Sequence, residues 1–349
     1  MAQDQNDDVN TPLLQQERPR RRSTFASLSN SLGSSLRRGT VREIHPHHTE
    51  LEPVLPAAPV AADHSTKLHN TNWAHSDDEP NTWAHIRHAW REEFAEFWGT
   101  FMILLFGAGV ECQVNLHGNA GDFLQCRLTW AAGVAMAVWT SGGISGGHCN
   151  PSVTLALAAF RGFPWRKVPS FIIAQVLGAT VASLVVYANY SSSIALFEAD
   201  GTRSAMPCFF TFPASQLSYG GAFYTELLAT AVLILIVFAL SDKSNLPPPT
   251  GTQPFAMFLA ILAIGAALGI NTGYAMNGAR DTGPRLALWI VGYGTKVWTH
   301  DHFYSIWCPW GATLVGGLLG AGIYDAFMYT GRDSPMNRPR MGSKEAVED

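Results

Sequence analysis

The 349-residue sequence predicts an all-α integral membrane protein with six transmembrane helices plus two re-entrant half-helices, arranged as an inverted repeat. Three observations carry this. The chain is 47% apolar and only 14% charged, and its apolar residues gather in long runs, which is a membrane composition. Six of those runs, at about 94–111, 128–144, 168–189, 220–240, 254–270 and 304–329, approach the ~20 residues that a helix needs to cross a bilayer. Finally, one phrase, SGGHCNPSVTLA at 145–156, returns 127 positions later as TGYAMNGARDTG at 272–283.

Residues 1–88 are rich in Ser, Pro, His and Asn and lack apolar periodicity, so they read as a disordered N-terminal tail. No run there resembles a signal peptide, which leaves the first spanning helix as its own insertion signal. The membrane domain follows at 89–330, with repeat one at 89–190 and repeat two at 218–330; residues 331–349 form a second tail. Ten Lys or Arg precede residue 94, three lie at 161–167, one is Lys243 and four lie beyond 331. Arg127, Arg203 and Lys296 remain for the opposite loops, and Arg280 and Arg285 fall inside a short helix. By the positive-inside rule both termini face the cytoplasm.

In the two phrases Gly146, Asn150 and Ser152 fall opposite Gly273, Asn277 and Ala279, while Glu96 and Thr100 on the first spanning helix match Glu226 and Thr230 on the fourth. Each half is three spans plus a short apolar piece, 151–160 or 278–291, too short to cross alone. Three is odd, so the second half enters the membrane from the other side and its short helix descends from the opposite face. The two short helices meet N-terminus to N-terminus near the midplane. Asn150 and Asn277 are the N-caps there, each side-chain oxygen accepting a backbone N–H and leaving its amide NH2 to donate. Pro151 stands at the first helical position, where it costs no hydrogen bond. Two half-helix dipoles place partial positive charge at the centre, which suits a neutral hydrogen-bond acceptor, repels cations and interrupts a proton-conducting file of water. Glu96 and Glu226 are costly inside a membrane unless bonded, and accepting from the loop backbone N–H groups is preferred over a proton relay.

No nucleophile, base and orienting acid come together in the sequence, and no Gly-rich loop follows a strand, which argues against an enzyme. The five Cys form no metal-ligand pattern; Cys112 and Cys126 flank one outer loop and could pair, but free thiols at helix ends are the preferred reading. Nothing in the chain calls for a cofactor, a metal or a nucleic-acid partner.

On its paired Asn boxes in an inverted duplication, over roughly residues 90–330, the chain resembles the aquaporins of the major intrinsic protein family. The long tails, and ARDTGPRLALW at 279–289, resemble fungal aquaglyceroporins. The resemblance implies a right-handed six-helix bundle with one pore per subunit and a homotetramer, embedded in membrane lipid, with the plasma membrane as the expected location. It places the outer constriction at Trp130, Gly265, Tyr274 and Arg280. Water-selective members usually carry His where Gly265 stands, so a wider ring passing glycerol and similar small neutral solutes along with water is expected. Trp130 and Tyr274 offer aromatic faces to the carbon backbone, and Arg280 offers fixed donors and a charge against cations. Asp281 belongs to the same pore-forming set and favours the helix N-terminus, where it can anchor the loop. For His148, carbonyl lining of the inner pore and space-filling by the ring stand level. A mercury-sensitive Cys149 is a further possibility, and a strict water channel or a non-conducting junction or sensor protein are the competing functions.

Three departures from the family pattern are Trp310, where glycerol channels more often carry an aliphatic residue, Ser152, which ends the first box, and Gly278, which replaces the second box's proline and predicts a looser central constriction. In the tail, RPRRRST at 18–24 and LRRGT at 36–40 read first as polybasic contacts to anionic lipid and second as kinase sites at Ser23 and Thr40. His45, His47 and His48 cluster without forming a metal site.

Overall fold

The computed structural model describes residues 81–337. The expected tail residues before 81, with Ser23, Thr40 and the His45 cluster, lie outside the described residues, as do 338–349. Helix α1, Thr82–Ala89, is capped by Asn81, whose side chain accepts from Ala84 N at 2.9 Å. The last residues of the segment expected to be a disordered tail, 82–88, are therefore helical. Three features together made it so: a good N-cap, apolar Ala84 buried underneath, and Arg87 and His88 in the last turn, where the helix dipole favours them.

The first repeat then runs α2 (Arg91–Leu116), α3 (Phe123–Ser145), the short α4 (Pro151–Phe160) and α5 (Val168–Phe197). The second runs α6 (Tyr219–Ser241), α7 (Gln253–Leu268), the short α8 (Gly278–Leu288), single turns α9 (Lys296–Thr299) and α10 (Tyr304–Ile306), and α11 (Thr313–Phe327). The expected spans underestimate α2 and α5, because hydropathy marks only the part of a helix that matches the bilayer. The 30 residues of α5 reach ~45 Å at 1.5 Å per residue, beyond a hydrocarbon core of ~30 Å. The expected sixth span, 304–329, is interrupted by a wide π turn at Trp307–Ala312, where Pro309 has no N–H to continue the α ladder. A similar wide turn, Trp289–Tyr293, follows α8.

Among the described residues four helical stretches are long and apolar enough to span alone: Arg91–Leu116, Trp165–Phe197, Tyr219–Ser241 and Tyr304–Phe327. The remaining two spans, α3 and α7, are symmetry partners that pack on each other across the repeat boundary. Thr, Ser and Gly dilute the apolar content of α3, and α7 has 16 residues. Within each half the first long helix packs against the other two, α2 on α3 and α5, α6 on α7 and α11. Glycines permit the tightest of these approaches: a β-carbon on Gly178 of α5 would overlap Phe97 O of α2, and one on Gly320 of α11 would overlap Ala231 O of α6. The half-helices cross over, α4 lying on α11 and α8 on α5. Each short helix is thus held by the last long helix of the other repeat, which is how an inverted duplication closes on itself. Arg161 bridges to Asp325 (2.6 Å) and Lys167 to Glu92 (2.7 Å), bringing the end of α4, the start of α2 and the end of α11 to one end of the bundle.

Candidate pore between two half-helices

Asn150 caps α4 by accepting from Ser152 N (2.8 Å), and Asn277 caps α8 by accepting from Ala279 N (3.0 Å) and Arg280 N (3.2 Å). Their amide groups do not stand wholly free, as capping alone would have left them. Asn150 Nδ2 donates to Met276 O and Asn277 Nδ2 donates to Cys149 O, both at 2.8 Å. Each box holds the other's loop, and each amide keeps one uncommitted N–H.

The loops leading into the caps share one backbone pattern. Gly146, Gly147 and Cys149 have left-handed φ of 92°, 65° and 48°, and their counterparts Gly273, Tyr274 and Met276 have 76°, 39° and 47°. A left-handed Cys, Met or Tyr costs energy and persists only where surrounding contacts over-determine it. Glu96 supplies those contacts in the first loop, accepting from His148 N (2.9 Å), Cys149 N (2.6 Å), Ser145 Oγ (2.6 Å) and Gln175 Nε2 (2.7 Å). Glu226 does the same in the second, accepting from Ala275 N (2.8 Å), Met276 N (2.8 Å) and Thr272 Oγ1 (2.5 Å). Both glutamates are fully buried. Because a trans peptide sets C=O opposite N–H, the carbonyls of Gly147, His148, Tyr274 and Ala275 are turned away from the glutamates. The His148 ring packs against Phe163 and Phe171 with Nδ1 3.1 Å from Thr154 Oγ1, so the ring fills space among them.

Toward the other end, Trp130, Gly265, Tyr274 and Arg280 are buried neighbours. Arg280 holds its guanidinium 4.1 Å from the Trp130 ring centroid and donates from Nη1 to Phe209 O (3.2 Å). Trp130 Nε1 donates to Glu111 (3.0 Å). The face of Gly265 is not open space: a β-carbon there would come within 3.1 Å of Tyr274 Cζ and 3.3 Å of Arg127 Cδ. Asp281 is fully buried among protein donors, accepting from Thr211 N (2.9 Å), Thr211 Oγ1 (2.7 Å) and Arg285 Nε (2.6 Å). It anchors a loop and lines no open surface, which corrects its grouping with the pore residues. Arg285 in turn donates to Thr211 O and Val297 O. Arg127, read from sequence as an outer-loop charge, lies buried in α3 because the helix begins five residues earlier than the expected span at 128–144. Thr211 and Glu111 escaped sequence reasoning altogether, and Arg285 was placed in the short helix but given no role. Only the spacing of Asp281 and Arg285, one helical turn apart, could have hinted at their pairing.

The expectation of a loosened second box is also corrected. The space beside Gly278 is taken by Trp310, whose Nε1 donates to Thr282 Oγ1 (2.7 Å). The five cysteines are free and buried; Cys112 clusters with Cys208, and Cys126 with Trp130.

A bundle of inverted repeats, with two half-helices meeting cap to cap inside it, defines a multi-pass membrane channel. The chain belongs to the major intrinsic protein family, whose family model, "Major intrinsic protein", matches residues 83–324. It is 46% identical over 288 residues to "Aquaporin-6" of Laccaria bicolor, covering 80% of this chain and 92% of that one. It is 44% identical over 273 residues to "Aquaglyceroporin-9" of Botryotinia fuckeliana (strain B05.10), covering 76% of this chain and 59% of that one. Among solved structures it resembles the aquaglyceroporin from Plasmodium falciparum, with a TM-score of 0.63 and 31% identity over 68% of this chain and 96% of that one. Members of this family are integral membrane channels for water and small solutes, not enzymes.

Proposed function

We propose that the chain is a passive channel for glycerol and other small neutral solutes, with water following, and that it excludes ions and protons. The observation carrying this reading is the outer ring, in which Trp130 and Tyr274 offer aromatic faces, Arg280 offers donors, and Gly265 contributes no side chain. A polyol sets its carbon backbone on the rings and its hydroxyls toward Arg280. It then passes the carbonyls of Gly147, His148, Tyr274 and Ala275 and the uncommitted N–H groups of Asn150 and Asn277. Cations meet Arg280 and two half-helix N-termini. Asp281 and His148 support the path from behind.

Strict water selectivity is the second reading, favoured by one contact: Tyr274 and Arg127 close on the face of Gly265. Stopped-flow light scattering of proteoliposomes separates the two. Under a glycerol gradient the first reading expects rapid reswelling after the initial shrinkage. Shrinkage without reswelling beyond that of empty liposomes would leave the water channel.

The working form in this proposal is a homotetramer in the plasma membrane, contacting lipid, with both termini cytoplasmic and the channel domain at 89–330 flanked by the two tails. The residues gathered with Arg161 and Lys167 at one end of the bundle support that orientation.

A further inference from the structure

Arg127 occupies a position that the ring of four does not explain. It lies three residues before Trp130 on α3 and is 9% exposed. Its guanidinium carbon stands 4.1 Å from the Phe123 ring centroid and 4.5 Å from that of Tyr274. Its stem reaches further, bringing Cδ against the face of Gly265. Buried Nε has no hydrogen-bond partner, so the side chain is held by ring contacts and packing rather than by an ion pair at that atom. Tyr274 is the residue in most need of support, since it is bulky and its φ is 39°.

We infer that Arg127 is a specificity-determining residue of this channel: its stem and guanidinium build the wall that position 265 lacks, fixing Tyr274 and with it the largest solute that passes. The inference rests on reading Trp130, Gly265, Tyr274 and Arg280 as the outer constriction. A glycine at 265 alone would leave a recess beside Tyr274. Arg127 fills that recess, so the ring cannot withdraw into it and the lumen stays narrow. Shortening Arg127 empties the recess, Tyr274 relaxes outward, and the size limit rises. Arg127 faces the rings of Phe123 and Tyr274 and Arg280 faces that of Trp130, so the cost of a second buried cation is offset by ring faces.

The test is a solute series of water, glycerol and erythritol, measured by stopped-flow light scattering on proteoliposomes with matched protein content. Arg127→Ala is expected to raise erythritol permeability relative to water by about tenfold. Arg127→Lys, which keeps the Cδ stem, is expected to stay within about twofold of the wild type. If Arg127→Ala fails to insert, Arg127→Val, which also lacks Cδ, carries the same expectation. In a wild type that passes water alone, the failure belongs to the glycerol reading, and the same variants are then expected to admit glycerol. Equal change of all fluxes, or an unchanged erythritol-to-water ratio in the short-chain variants, would overturn the inference and make Arg127 a packing residue.

Discussion

Trp310 occupies the space that a side chain on Gly278 would need: a β-carbon there would lie 2.6 Å from Trp310 Cδ2 and 2.7 Å from Cε2. Two of the departures expected from the sequence, Gly278 and Trp310, are therefore one feature. The indole takes the place of the proline ring at the first position of α8 and is tied to the same helix through Thr282.

The pair predicts a coupled response. Gly278→Pro alone drives a ring into the fixed indole, an overpacking worth about 1–3 kcal/mol, and Trp310→Leu alone leaves a void of comparable cost. The double variant is expected to recover about 1–2 kcal/mol of the summed loss. Thermal denaturation in detergent reads this directly, and strictly additive losses would show that the two sites are independent.

At the outer ring, Gly265→Ala already places a methyl group within about 3 Å of Tyr274 and Arg127, tighter than ordinary contact. It is expected to lower glycerol flux more than water flux, and Gly265→His is expected to do so more strongly. An equal fall in both fluxes would make position 265 a packing site.

Glu96→Gln turns an acceptor of four bonds into a group with a donor end. Buried donors among His148 N, Cys149 N, Ser145 Oγ and Gln175 Nε2 then lose their acceptor, at about 1–3 kcal/mol each. The variant is expected to lose thermal stability and permeability together. Glu226→Gln should be milder, since Glu226 accepts from Ala275 N, Met276 N and Thr272 Oγ1 only. Wild-type melting of Glu96→Gln would refute the assigned role.

Asp325→Ala leaves Arg161 without its partner at a site where Asp325 is fully buried, a loss of about 3–5 kcal/mol. Replacing both, as Arg161→Met with Asp325→Leu, is expected to restore much of the stability, because the desolvated charge goes with its mate. If the double variant melted below the single one, the contacts of Arg161 with Phe238 and Tyr329 would outweigh the ion pair.

What could be read from the chain was whatever repeats. Asn150 and Asn277, with Glu96 and Glu226 behind them, recur at matched places, and the duplication exposes their roles without any contact being known. Residues with no counterpart were opaque. Arg127 reads as a loop charge until α7 is laid beside α3, and Gly278 reads as a loosened turn until Trp310, 32 positions on, is folded back over it. Asp281 carried a double signal, since a carboxylate in the first turn of a helix suits both a lumen and an anchor. Only the arrival of Thr211 and Arg285 from elsewhere decides between them.

The exchange of amide bonds between the two boxes also sets an order of construction. Asn150 must wait for Met276 O, 126 residues downstream, and Cys149 O must wait for the side chain of Asn277. At roughly 5–20 residues per second, the ribosome needs about 6–25 s to deliver the missing partner. Through that interval the short helix of the first half has its own cap, but Cys149 O and the Asn150 amide lack their cross-box partners. The first repeat is a promise that the second one keeps, and a chain stopped between them should be handled by the cell as incomplete cargo rather than as half of a working protein.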